Sequence, residues 1–232
     1  MTRSNPPAAA VEILDAAARL FAARGYEHTS MDDIADELGA TKGRVYHYYR
    51  SKADLLIGIL TRGSTALIEA VRPIASSPSS APQRLAEMSR IHALTMMVNN
   101  DYQRVAFRSL NDQLFDGRGR RQFGWDQVLA LRDEYESLYL SVVAQGARAG
   151  DFRTDDPALT VRALLGSLNW ITVWYRPDAS SRSPSAANQI AIDFASFVVA
   201  GARGQAQMSI SSGEDLGQAS SPPSTGSNIP SI

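Results

Sequence analysis

Apolar residues recur at helical spacing along most of this chain, and nowhere with the strict alternation of a half-buried strand. Ile13, Ala17, Leu20 and Phe21 fall at i, i+4, i+7 and i+8, predicting a first helix from Pro7 to Arg24 that stops at Gly25. Ile34, Ala35 and Leu38 form the apolar face of a short second helix. Ser30 caps it, Asp33 stands at the capping-box position and Gly39 ends it. Thr41 opens a third helix with Val45 and Tyr49 turned inward. Ser51 and Asp54 repeat the cap signal for a long fourth helix, which carries Leu55, Leu56, Ile59, Leu67, Ala70 and Val71 and ends near Pro73. A Ser/Pro loop at 75–82 is the clearest punctuation. Further helices are predicted at 82–99, 101–115, 121–149, 157–175 and 185–203, with a flexible turn at 116–120. The fold class is therefore all-α. We expect a helix-turn-helix head over 7–52, a larger helical bundle over 53–204 and a tail over 205–232. The tail is too poor in large apolar residues to repay its ordering and should be disordered.

The pattern of the third helix points to nucleic acid. With Val45 and Tyr49 inward, Lys42, Arg44, Tyr46, His47 and Tyr48 point mostly outward. Thr41 to Lys52 holds four basic residues and no acidic one, and includes the chain's only two lysines. Two helices joined by a short Gly-containing turn, the second presenting basic, aromatic and hydroxyl groups, make a helix-turn-helix. Lys42, Gly43, Arg44, Tyr46 and His47 are expected against base edges or adjacent backbone. Thr29, Ser30, Tyr48 and Lys52, with the cap hydroxyl of Thr41, are expected to hold phosphates.

Composition narrows the rest. The net charge of −1 makes the whole chain no magnet for DNA, so phosphate affinity must come from this local cluster. There is no cysteine, hence no disulfide or thiol chemistry. No apolar run approaches a membrane span, and the amphipathic start is not a signal peptide, so a cytoplasmic protein is expected. The only histidines are His28, His47 and His92, and no nucleophile elbow, Walker loop, dinucleotide fingerprint or zinc-protease motif occurs. An enzyme, a cofactor and a metal site are not expected. The bundle does carry aromatic residues able to line a small-molecule pocket: Phe107, the pair Tyr135 and Tyr139, and the pair Trp170 and Trp174.

The runs Thr29–Ala35 (TSMDDIA), Gly39–Gly43 (GATKG), Val45–Tyr49 (VYHYY) and Ser51–Leu56 (SKADLL) closely resemble the DNA-binding signature of the TetR (tetracycline-repressor) family. The resemblance covers about residues 10–60 and holds apolar, cap and basic positions in register. It departs at Arg44, where Thr or Ser is frequent, and at Tyr49, where a core Phe is usual; the Tyr49 hydroxyl would then need to reach water. Residues 120–178, above all the Trp174–Pro177 block, are similar to the branch that responds to acyl-CoA thioesters or fatty acids. Some such relatives carry arginines one turn either side of the first Trp; here Gly166 and Val173 fill those slots, leaving Arg162 or Arg176 to substitute. The resemblance implies a homodimer built on the last two helices, bound to a double-stranded DNA operator and released by a small apolar or amphipathic effector. In that reading Trp170 lines the effector pocket. A ligand-independent DNA-architectural protein, or a helical-bundle enzyme or carrier with an incidental head, are the alternatives.

Overall fold

In the computed structural model, described over residues 7–98, 100–116, 124–176 and 184–204, every helix start that carried a cap signal is capped as its sequence implies. Ser30 accepts from the Asp33 N–H at 3.1 Å while its own N–H donates to the Asp33 carboxylate at 2.7 Å, closing the capping box. Thr41 and Ser51 accept from the backbone N–H groups of Arg44 and Asp54. Asp156 accepts from Ala158 and Leu159, with Pro157 in the first turn.

The helices are α1 (Ala8–Arg24), α2 (Met31–Glu37), α3 (Lys42–Tyr48), α4 (Lys52–Ala75) and α5 (Ala81–Val98). They continue as α6 (Asn100–Asp116), α7 (Trp125–Ala149), α8 (Pro157–Asn169), α9 (Ile171–Trp174) and α10 (Pro184–Arg203). No strand occurs among the described residues, so the fold is all-α. The single helix expected over 157–175 is two pieces, because α8 ends at Asn169 and the chain restarts as α9 beyond Trp170. The expected tail at 205–232 and all but Asp116 of the turn at 116–120 lie outside the described residues.

Two apolar cores form. One joins α1, α2 and Val45 of α3 to Leu55, Leu56, Ile59 and Leu60 of α4, Val105 of α6, and Trp125 and Val128 of α7. This core takes in residues on both sides of position 52. The other core fills the bundle, from Leu67 of α4 through Tyr139 of α7 to Val198 of α10. Helices α4 and α7 thus belong to both cores, while α6 joins the head core alone. Close approach fixes one glycine: a Cβ on Gly146 would lie 2.2 Å from the ring of buried Phe152. The turn after α7 folds back there, with the Asp151 and Phe152 N–H groups donating to the Gly146 carbonyl.

Candidate nucleic-acid interface and internal cavity

Helix α3 is anchored by Val45, which is fully buried, and by Tyr49, which follows it. The Tyr49 hydroxyl donates to the Ala10 carbonyl of α1 at 3.2 Å rather than to solvent, so the departure from Phe adds a tether between two head helices. With that edge pinned, Lys42, Gly43, Arg44, Tyr46 and His47 are exposed along the opposite side. His47 meets Tyr48 edge to face, and Tyr48 rests half-buried on the head core. A Cβ on Gly43 would meet only Thr41 Oγ1 at 3.9 Å. Nothing inside the chain asks for glycine there, so the room it leaves lies on the outer surface.

The basic groups of this surface are paired within the head. Lys42 Nζ lies 2.5 Å from Asp32 of α2, which holds the ammonium pKa above its ordinary value. The Arg44 guanidinium reaches back to Glu12 of α1 at 2.6 Å instead of standing free. Both pairs are solvent-exposed, and exposed pairs contribute little, so phosphates or base edges can replace these carboxylates at small cost. Ser30, also exposed, keeps its hydroxyl in the capping box.

Two of the expected phosphate ligands are engaged elsewhere. Thr29 is 2% exposed and its hydroxyl donates to the Gly25 carbonyl at 2.9 Å. Lys52 donates to the Tyr26 carbonyl at 2.8 Å and lies 4.3 Å from the centre of the Tyr26 ring. It ties the start of α4 to the loop between α1 and α2. Sequence position alone could not show these carbonyls, which belong to a loop distant in sequence from residue 52.

Inside the bundle a cavity of about 410 Å³ opens between α4, α5, α6, α7 and α8. Leu67, Met96, Ala106, Phe107 and Leu165 supply its apolar wall. Its polar wall comes from Gln103, His92, Tyr135, Asn169 and Thr172. Arg132 and Arg162 also line it and are exposed, and the half-buried carboxylate of Glu136, a third ionic group of the lining, pairs with Arg162 at 3.2 Å. His92 is 1% exposed, and burial pushes its pKa down to about 4, so the ring is neutral near pH 7. It bonds Asn169 on one side and the Tyr135 hydroxyl on the other. Burial raises the Tyr135 and Tyr139 pKa values, keeping both phenols neutral too.

Of the aromatic candidates, Phe107 and Tyr135 line this cavity. Tyr139 lies one layer behind, fully buried against Tyr135. Trp170 and Trp174 do share a side, as their spacing implied, but it is the outer side. Trp170 is 56% exposed and lines an apolar groove with Phe194 and Phe197 of α10. Trp174 stacks on Phe194 at 6.0 Å. Trp170 reaches the cavity only from behind, through an edge contact with Phe107 at 6.5 Å.

Comparison with known proteins places this geometry. Residues 13–59 match the model for bacterial regulatory proteins of the tetR family, and residues 78–202 match the tetracyclin repressor-like C-terminal domain. The chain belongs to the TetR family. The TetR-type head accounts for α1 to α3 and the start of α4, and the TetR-type C-terminal domain for the bundle holding the cavity. The chain is 29% identical over 179 residues to the transcriptional repressor KstR2 of Rhodococcus jostii, covering 77% of this chain and 85% of that protein. It is 21% identical over 170 residues to the fatty acid metabolism regulator protein of Bacillus subtilis, covering 72% and 84%. The solved structure of AibR in complex with isovaleryl coenzyme A and operator DNA superposes with a TM-score of 0.66 at 25% identity, covering 82% and 97%.

Sequence reasoning left His92, Arg132 and Gln103 out of the TetR-type bundle's site, whereas Asn169 and Thr172, polar neighbours of Trp170 able to orient a headgroup, do line it. A signal existed for His92, the one histidine outside the head. It continues the buried stripe Leu85, Met88, Met96 of α5, so a polar ring was being placed in the core.

Proposed function

We propose that this TetR-family regulator is a homodimeric repressor that binds a two-fold-symmetric operator and is released by a small amphipathic effector held in the bundle cavity. The observation that carries this reading is the sharing of helices between the two sites. α4, α6 and α7 contribute Leu55, Val105 and Val128 to the core that holds α3, and Leu67, Phe107 and Tyr135 to the cavity wall. A ligand that spreads the cavity acts on the same helices that seat the reading head.

In this reading Lys42, Gly43, Arg44, Tyr46 and His47 face the major groove, and Ser30, Thr41 and Tyr48 meet phosphate. Thr29 and Lys52 hold the turn in shape. The effector's apolar part lies against Phe107, Met96 and Leu165, and Arg132 and Arg162 meet a charged or strongly polar part outside. An acyl-CoA suits that division of apolar and ionic groups; the AibR complex with isovaleryl coenzyme A is a relative that holds one. Dimerisation through α8 and α10 is supported by exposed Trp170, Trp174, Ile192 and Phe197, a large apolar surface for a single chain to leave in water. Two heads so related would meet half-sites about 34–36 Å apart.

Fluorescence anisotropy on a duplex selected by the protein tests the proposal. Isovaleryl-CoA, longer acyl-CoA thioesters and free fatty acids would be titrated into the complex. Release by at least one, lost when Phe107 is replaced by Trp to fill the cavity, is expected. Sequence-specific binding that none of them weakens would contradict the effector half of the reading.

A further inference from the structure

Helix α6 turns one side to the cavity and another to α1. Gln103, Ala106 and Phe107 line the cavity, while Val105 enters the head core. Two hydrogen bonds cross from α6 to α1. The Tyr102 hydroxyl donates to Asp15 Oδ1 at 2.6 Å, and the Arg108 guanidinium donates to the Ala22 carbonyl at 3.2 Å. Burial, and then the bond to Asp15, raises the Tyr102 pKa above its ordinary value, so the phenol keeps its proton and remains the donor.

Helix α1 holds α3 in turn. Glu12 lies one turn before Asp15 on the same side of α1, and its carboxylate accepts from the Arg44 guanidinium at 2.6 Å. Glu12 and Asp15 line one groove of the head. A continuous set of contacts therefore runs from the cavity through Tyr102 and Asp15 to Glu12 and Arg44. To reach a base edge, Arg44 has to leave Glu12. Its preference for one base pair is then the strength of the base contact less the hold of Glu12, since beside any other pair it stays with the carboxylate. Both ends of this ion pair are exposed, so the hold is weak and a small shift of α1 changes it.

We propose that an effector in the cavity shifts α6 against α1 so that Glu12 holds Arg44 more firmly and base readout weakens inside each head, a route that rests on the cavity being the effector site and on Arg44 meeting base edges. Tyr102 and Asp15 are positioning residues that act through Glu12. Every residue of this route belongs to one chain, so it works whatever happens to the spacing between the two heads.

Half-site duplexes test it, because one head on one half-site has no second head to be spaced from. Binding of the full chain is followed by anisotropy on the half-site and on the same duplex altered at the base pair whose preference Arg44→Ala removes. Each is measured alone and with saturating isovaleryl-CoA or palmitoyl-CoA. In the unaltered protein the preference should fall about threefold to fivefold with the thioester, the range an exposed ion pair supplies. Tyr102→Phe and Asp15→Ala should keep the preference without thioester to within about twofold and lose its response to the thioester. Glu12→Gln should lose the response as well. Release of the full operator with no change in half-site preference overturns the α1 route and leaves the repressor reading standing. A response that survives in both Tyr102→Phe and Asp15→Ala also overturns it. If neither thioester acts on the full operator, or Arg44→Ala removes no preference, the effector or Arg44 reading fails and this route falls with it.

Discussion

Acidification should weaken this fold through His92. The buried ring has a pKa of about 4 against 6.5 for an ordinary histidine, because burial disfavours the imidazolium. Unfolding exposes it, so below the unfolded value the unfolded chain binds the extra proton and the folded chain resists it. Stability is therefore intact above about pH 6.5 and is lost progressively as pH falls toward 4. At about 1.36 kcal/mol per unit, going from about pH 7.5 to about pH 5 should remove roughly 2 kcal/mol through this one group. Urea denaturation followed by circular dichroism at both pH values measures the total loss, which also contains carboxylate contributions. His92→Gln, which cannot titrate in this window, isolates the histidine part whatever its own stability. Wild type should lose about 2 kcal/mol more than the variant over that interval. Equal losses in the two proteins would show that His92 is hydrated or already charged in the folded state, and the cavity wall described above would have to be redrawn.

Replacing Gly146 with Ala drives a methyl into the ring of Phe152, and should destabilise the bundle by about 1–3 kcal/mol in the same denaturation assay. Arg44→Ala should cost on the order of 1–3 kcal/mol on the preferred duplex and flatten selectivity at one base pair per half-site, because the guanidinium can exchange Glu12 for a guanine edge. An equal loss on random DNA, read by anisotropy, would reassign Arg44 to the phosphates. Trp170→Glu puts a charge in the outer groove beside Phe194 and Phe197, and should shift a dimer toward monomer in analytical ultracentrifugation with little effect on the monomer's melting temperature.

What could be read from the sequence was what neighbours in sequence decide. Ser30, Thr41, Ser51 and Asp156 each bond a backbone N–H two or three residues on, so their caps were legible without any knowledge of the fold. The burial of Val45 and the exposure of Lys42, Arg44 and Tyr46 followed from helical spacing in the same way. Partners across the fold were not legible. Glu12 for Arg44, the Tyr26 carbonyl for Lys52 and Asn169 for His92 come together only through packing. The spacing of Trp170 and Trp174 showed that they share a side but not which side. That depends on where α10 lies, and the apolar side they occupy is a surface groove rather than the interior.

In this TetR-type protein the exposed side of α3 is proposed to read sequence from a symmetric pair of heads. Selection by the purified full chain from a pool of randomised duplexes, followed by sequencing, tests it most directly. An inverted repeat whose half-sites are one helical turn apart, or a multiple of it, should be enriched, and Arg44→Ala and Tyr46→Ala together should abolish that enrichment. Retention of DNA with no enriched sequence would contradict it, and would leave a protein that binds the duplex backbone alone.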